Sequence, residues 1–185
     1  PNDALPALAA WLGFDMTNLG ITDIEALDQA IGKISPFVTV IGTDSFIDVL
    51  AKGKYCVAWG YSGDVAVARG RATENGTGAI VYSVPKEGSH LWFDMLVIPA
   101  KAPNKDGGYL LVDYLMRPDV AGANTNYIQY ANPVTASAQY IDAALLSDPG
   151  LFPPKSVWKR LAILPPLPTD VETELARIWS KLKKG

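Results

Sequence analysis

The sequence predicts an α/β protein, and two observations carry that expectation. Short apolar runs rich in Val, Ile, Tyr and Trp alternate with longer segments whose apolar residues recur every three or four positions. Most of the longer segments open on Ser, Thr, Asp or Asn and close on Gly or Pro, the punctuation of helices.

The elements follow in order. Asn2 or Asp3 caps a first helix that runs through Leu12 and stops at Gly13; Pro6 is tolerated because it falls in or near the first turn. Thr22-Asp-Ile-Glu25 has the form of a capping box and opens a helix to about Ile34, with Ile24, Leu27, Ile31 and Ile34 on one face. Residues 37–41 predict a short strand. Thr43 or Asp44 then caps a helix to Lys52, stopped by Gly53, and residues 55–59 form the next strand. Gly60-Tyr-Ser-Gly-Asp64 turns into a helix through roughly Thr73, and residues 79–84 and 89–99 are strands. Asn104-Lys-Asp106 starts a helix with Leu110, Leu111, Tyr114 and Leu115 on one face, and Arg117-Pro118 breaks it. Helices are expected over 119–129, 139–146 and 155–161. After the prolines at 165, 166 and 168, Thr169-Asp-Val-Glu172 caps a final helix with Leu175, Ile178, Trp179 and Leu182 inward.

Bulk composition excludes several classes. The 185 residues carry a formal net charge of −3, with no basic stripe for nucleic acid. Lys181, Lys183 and Lys184 are a solvated helix end. No apolar run reaches the ~18 residues that would suggest a membrane span. Pro1 is not an initiator residue, so a cleaved or truncated start is expected and targeting is not legible. The single cysteine, Cys56, lies in an apolar run and predicts a buried structural thiol; the single histidine, His90, stands at a strand entrance and predicts a structural role. One Cys and one His do not make a zinc site, no phosphate loop or GxGxxG is present, and no cofactor is expected.

One stretch has chemistry. Ser-His-Leu-Trp-Phe-Asp-Met-Leu-Val-Ile-Pro, residues 89–99, predicts a buried strand with a carboxylate in its middle. Alternation puts Trp92 and Asp94 on one face. An aromatic plane and an acid on one face are what an organic cation needs: the ring attracts it through its quadrupole, and the carboxylate pairs with it. A core Trp beside a strand-end Asp fits the residues equally well. Asp64, at a strand-to-helix turn, fits either a ligand contact or a plain helix cap.

The order of these pieces resembles the solute-binding proteins of polyamine ABC transporters, the putrescine and spermidine receptors of the bacterial periplasm. The residues that carry the resemblance are Cys56-Val-Ala-Trp-Gly-Tyr-Ser-Gly-Asp64, Val84-Pro-Lys-Glu-Gly88, Trp92-Phe-Asp94, Ile98-Pro-Ala100, Asn104-Lys-Asp106, Tyr114-Leu-Met-Arg-Pro-Asp-Val120, Tyr130-Ala-Asn132 and Phe152-Pro-Pro154. The resemblance implies a periplasmic binding protein-like (type II) two-lobe α/β fold, of which this chain is an incomplete C-terminal portion, and a length for the whole roughly twice this one. It implies that residues 1–91 and 137–185 belong to lobe two and 92–136 to a returning segment of lobe one. An N-terminal half, as a missing segment or a separate chain, would then cover the apolar residues of 92–136, which are too few to bury a core alone.

The resemblance also implies a non-enzymatic receptor that closes two lobes on a polyamine and delivers it to an ABC transporter permease in the periplasm, with no nucleic-acid partner. Carried over by position, Tyr61 stands where the family often has Trp and stacks on the methylene chain. Asp64 accepts from an ammonium or secondary amine, Trp92 stacks, Asp94 pairs with an ammonium, and Tyr130 closes the box. Asp3 falls where the family carries a Glu, one carbon longer. The residues leave two other functions open: a receptor of the same fold for another cation or a neutral metabolite, and an enzyme acting on a cationic substrate with Asp64 and Asp94 as an acid-base pair.

Overall fold

A computed structural model of the chain describes residues 2–42 and 46–182. The elements are α1 (Ala4–Trp11), α2 (Ile21–Ile34), α3 (Phe46–Ala51), α4 (Ser62–Asn75), β1 (Ser89–His90), α5 (Lys105–Leu115), α6 (Pro118–Ile128), α7 (Ala143–Leu146), α8 (Lys155–Trp158), β2 (Leu161–Ala162) and α9 (Thr169–Leu182), with short 3-10 turns at Ser35–Phe37 and Thr135–Tyr140. They fall into two compact units. The first comprises Pro1–Thr43, Val84–Phe93 and Lys155–Gly185; the second comprises Asp44–Ser83 and Asp94–Pro154. Residues 44–83, grouped with 1–43 in the lobes expected from sequence, cluster here with 94–154.

The core of the first unit follows from helical spacing. Ile24, Leu27 and Ile31 on α2 and Val171, Leu175 and Ile178 on α9 meet over Leu5 and Ala9 of α1, with Leu19 between. Burying these side chains contributes on the order of 1.5–3 kcal/mol each. Lys181 donates to Asp28 Oδ2 at 2.5 Å and ties α9 to α2, holding the Asp28 carboxyl below its usual range. Ile34, expected on the inner face of α2, is exposed at its last turn.

Caps fix the helix ends. α1 stops as expected, with Gly13 at φ +88° and its N–H on the Ala10 carbonyl. α2 starts earlier than the Thr22 box predicts. Gly20 is its N-cap, and Asp23 Oδ2 accepts from the Gly20 N–H at 2.9 Å. α9 likewise begins at Thr169, one residue sooner, with the Glu172 N–H on the Pro168 carbonyl. The caps expected at Thr43 or Asp44 lie outside the described residues, as do Lys183 and Lys184 of the basic cluster.

Sheet content is lower than the sequence predicts. Among the described residues, the ladder joins β1 and β2 in parallel, Ser89 opposite Leu161 and His90 opposite Ala162. Gly88 makes that approach possible: at φ +117° a Cβ there would lie 2.6 Å from the Arg160 carbonyl oxygen. The segments at 37–41, 55–59 and 79–84, and most of 89–99, are not in strands. A strand is a property of a pair: extended propensity selects the segment, but a neighbour must supply the ladder. Residues 89–99 are therefore not a buried strand; Met95 and Val97 are 80% and 81% exposed. Cys56, in the unpaired 55–59 segment, is exposed rather than buried. The helix expected over 155–161 ends at Trp158, because Leu161 and Ala162 join β1, and that over 139–146 is a 3-10 turn followed by α7.

In the second unit α3 packs on α4, and α6 on the 3-10 turn that follows it. Ala66, Ala68 and Ala72 of α4 are buried with Val65 and Leu50. Arg69 reaches Asp148, whose other carboxylate oxygen accepts from the Gly150 N–H at 2.8 Å. Burial opposes ionisation of Asp148, but the Arg69 guanidinium and the Gly150 N–H together hold its carboxyl below the usual range. Asn104 caps α5 by accepting from the Gly107 N–H at 2.9 Å, and Pro118 opens α6 at its first position.

Candidate functional site

In the second unit the fold brings Asp64 and Tyr130 together. Both Ser62 and Gly63 lie in the first turn of α4, with Tyr61 as the extended N-cap. Gly63 allows the meeting. A Cβ at that position would lie 2.3 Å from Cδ2 and Cε2 of Tyr130, so the tyrosine ring rests directly on the glycine backbone. The Tyr130 hydroxyl donates to Asp64 Oδ1 at 2.9 Å. Burial, and then the bond to Asp64 and its charge, push the Tyr130 phenol well above its usual range. It therefore stays neutral and a donor. Asp64 also sits where the positive end of the α4 dipole favours a carboxylate.

Tyr130 is held from its own side by polar groups. α6 ends at Ile128, and Gln129 takes a left-handed conformation at φ 60° that turns the chain back. Thr125 Oγ1 donates to the Tyr130 carbonyl at 2.8 Å. Asn132 Nδ2 donates to Thr125 Oγ1 at 2.9 Å and to Ser137 Oγ at 3.0 Å, and Asn132 Oδ1 accepts from the Val134 N–H at 2.8 Å. Thr125 and Ser137 are buried, so this network is satisfied internally and rigidifies the loop. Sequence reasoning missed both devices. Gly63 and Asn132 were visible as motif members, but the partner of each lies across the fold.

The other candidates divide between the units. Tyr61 is partly buried and Asp94 exposed, both in the second unit. Trp92, in the first, is 45% exposed. Asp3, also in the first, occupies the N-cap position of α1 without bonding the helix through its side chain. Its Oδ1 instead lies 3.4 Å from His90 Nε2. Among the described residues no group of His, Cys, Asp and Glu is placed to hold a metal ion, and no helix is long and apolar enough to cross a membrane.

The family model for bacterial extracellular solute-binding proteins matches residues 9–153. The putrescine-binding periplasmic protein of Pseudomonas aeruginosa is 36% identical over 186 residues, covering 100% of this chain and 51% of the relative. The putrescine-binding periplasmic protein of Escherichia coli is 34% identical over 188 residues, 100% of this chain and 50% of the relative. The chain thus spans about half the length of the curated relatives it matches.

Solved structures agree on the fold. A spermidine/putrescine ABC transporter substrate-binding protein from Streptococcus pneumoniae superposes with a TM-score of 0.81 at 21% identity, over 99% of this chain and 55% of that one. A protein described as a putative spermidine/putrescine ABC transporter from Listeria monocytogenes gives 0.85 at 24% identity, over 98% and 55%. The fold is that of part of a two-lobe periplasmic binding protein, and the relatives are solute-binding proteins rather than enzymes. The chain belongs to the family of bacterial extracellular solute-binding proteins.

Proposed function

We propose that this chain is the ligand-binding portion of a periplasmic receptor that captures a polyamine, putrescine or spermidine, between two lobes and hands it to an ABC transporter permease. The observation that carries the proposal is the Tyr130–Asp64 pair, an acid and an aromatic ring held together on Gly63. A diamine is two ammoniums on an apolar stem. Each ammonium costs several kcal/mol to desolvate unless it is paired, on the order of the penalties known for buried ions. The stem prefers flat apolar walls. Within the second unit, Asp64 and Asp94 are the acids proposed for the pairing and Tyr61 and Tyr130 the rings proposed for the walls; Trp92 and Asp3, in the first unit, are a further candidate ring and acid. Names of the relatives, given for putrescine and spermidine, support the same ligand class.

The role needs no chemistry on the ligand. Binding favours the closed arrangement of the lobes, and the permease reads closure. The apolar face of α5 and residues 95–97 is covered, on this proposal, by the further length that the family's longer members possess.

Calorimetric titration with putrescine, spermidine and the neutral isostere butane-1,4-diol tests the proposal, with the recovered ligand assayed for chemical change. The diamine and triamine are expected to bind, the diol not to bind, and the ligand to be recovered intact. Equal binding of the diol would make this a receptor for neutral metabolites, and consumption of putrescine would make it an enzyme.

A further inference from the structure

We infer that Thr125 is a positioning residue for the polyamine site: its buried hydroxyl holds the Tyr130 backbone where the ring sits on Gly63 and the phenol bonds Asp64, and so sets how well Asp64 receives the ligand. The inference rests on the polyamine proposal and adds to it a determinant that does not touch the ligand. Thr125 is 1% exposed, so what it does for binding passes through Tyr130. It grips the chain reversal after α6 at two points. Its carbonyl accepts from the Gln129 N–H at 2.8 Å, and its hydroxyl donates to the Tyr130 carbonyl at 2.8 Å. Between these grips Gln129 stands at φ 60°, a left-handed conformation that a residue with a Cβ adopts only at a cost. Removing the hydroxyl leaves one grip against that cost.

The direction of that hydroxyl is set from behind. Asn132 Oδ1 accepts from the Val134 N–H at 2.8 Å and from Ser137 Oγ at 3.1 Å, so its amide cannot turn over without losing both. Asn132 Nδ2 then faces Thr125 Oγ1 at 2.9 Å as a donor. A threonine hydroxyl has one proton, and because Asn132 donates to the oxygen, that proton goes to the Tyr130 carbonyl. The bonds run in one sense, from Val134 and Ser137 through Asn132 and Thr125 to Tyr130. Bonds aligned in this way polarise and strengthen one another. Ser137 is 2% exposed, so the far end of the relay is buried as well.

Tyr130 tolerates little movement. A Cβ on Gly63 would lie 2.3 Å from two of its ring carbons, so the ring is already against backbone on that side. Its hydroxyl meets Asp64 Oδ1 at 2.9 Å, toward the long end for a hydroxyl donor, so an outward shift of about half an ångström breaks the bond. The bond also prepares Asp64. With Oδ1 held by the phenol, the carboxylate keeps one orientation and offers its second oxygen to an ammonium. A carboxylate that has lost the phenol turns freely and must be ordered when the ligand arrives, which weakens binding.

Thr125→Val removes the hydroxyl and keeps the shape, whereas Thr125→Ser keeps the hydroxyl. Each is read in two ways: the NMR signal of the Tyr130 Cζ without ligand, assigned by its absence in Tyr130→Phe, and the affinity for putrescine by calorimetry. The valine variant is expected to shift the signal and to weaken putrescine about tenfold, the low end of what loss of a supporting hydrogen-bond partner does at metal sites. The serine variant is expected to match wild type in both. In a Tyr130→Ala background Thr125→Val is expected to cause no further loss, since the group it acts through is gone. If the valine variant does not fold, Asn132→Ala removes the donor to Thr125 from a part-buried position and is expected to move both readouts the same way. An unmoved signal, an unchanged affinity, or an equal loss in the Tyr130→Ala background overturns the positioning role, and the polyamine proposal stands so long as wild type binds putrescine. Absence of putrescine binding by wild type removes the polyamine proposal, and this inference with it.

Discussion

α9 and α5 carry the same kind of pattern and meet different fates. Each has apolar residues at helical spacing along one face. In α9 that face, Val171, Leu175 and Ile178, is fully covered by α1 and α2. In α5 no residue is buried, and Leu110 stands 70% exposed. The difference teaches that an amphipathic pattern records what a helix is made to meet, not whether the chain at hand provides it. Residues 95–97, apolar and expected from sequence to be a strand, make the same point: they are exposed and join no ladder. Relatives about twice as long possess the further length that our proposal places over both.

Two truncations separate the helices most clearly. Leu27→Ala, in the closed core, is expected to cost about 3–4 kcal/mol in denaturant unfolding, whereas Leu110→Ala is expected to change stability by no more than about 0.5 kcal/mol. Similar losses from the two would show that α5 is packed in solution and that the contrast between the helices is false.

Gly63→Ala comes next. Its methyl group meets the Tyr130 ring, so the ring must lift and the bond to Asp64 must break. Overpacking of this kind costs about 1–3 kcal/mol. A melting curve reads the loss, and an unchanged curve would deny that the tyrosine is seated on the glycine.

Asp148→Asn removes the carboxylate that Arg69 and the Gly150 N–H hold in the second unit. Discounted for the exposure of Arg69, the loss is about 1 kcal/mol. Because the folded carboxyl titrates below its ordinary value of 3.8, the contribution is complete above that value and is lost as pH falls through the lowered one. Stability measured in wild type and Asp148→Asn is expected to converge in strong acid; a gap that persists there would assign the loss to packing instead.

Much of the fold was legible because its cause is local. The spacing of Ile24, Leu27 and Ile31, the stop at Gly13 and the break at Pro118 all come from a few neighbouring residues. Strands were over-read at 37–41, 55–59 and 79–84, since pairing depends on a distant partner that propensity does not name. Candidate acids and aromatics were legible as motif members. Their supports were not: the seat that Gly63 offers Tyr130, the Thr125–Asn132–Ser137 network and the approach of Asp3 to His90 each join residues separated in the chain.

The central claim is that the exposed carboxylate of Asp94 and its fellow candidates bind a polyamine. Putrescine titrated into wild type and Asp94→Asn tests it most directly, because the substitution keeps the side chain's shape and removes its charge. The account predicts at least a tenfold loss of affinity, about 1.5 kcal/mol or more for a charge-assisted contact, with an unchanged melting temperature. Equal affinity in the two proteins would contradict it.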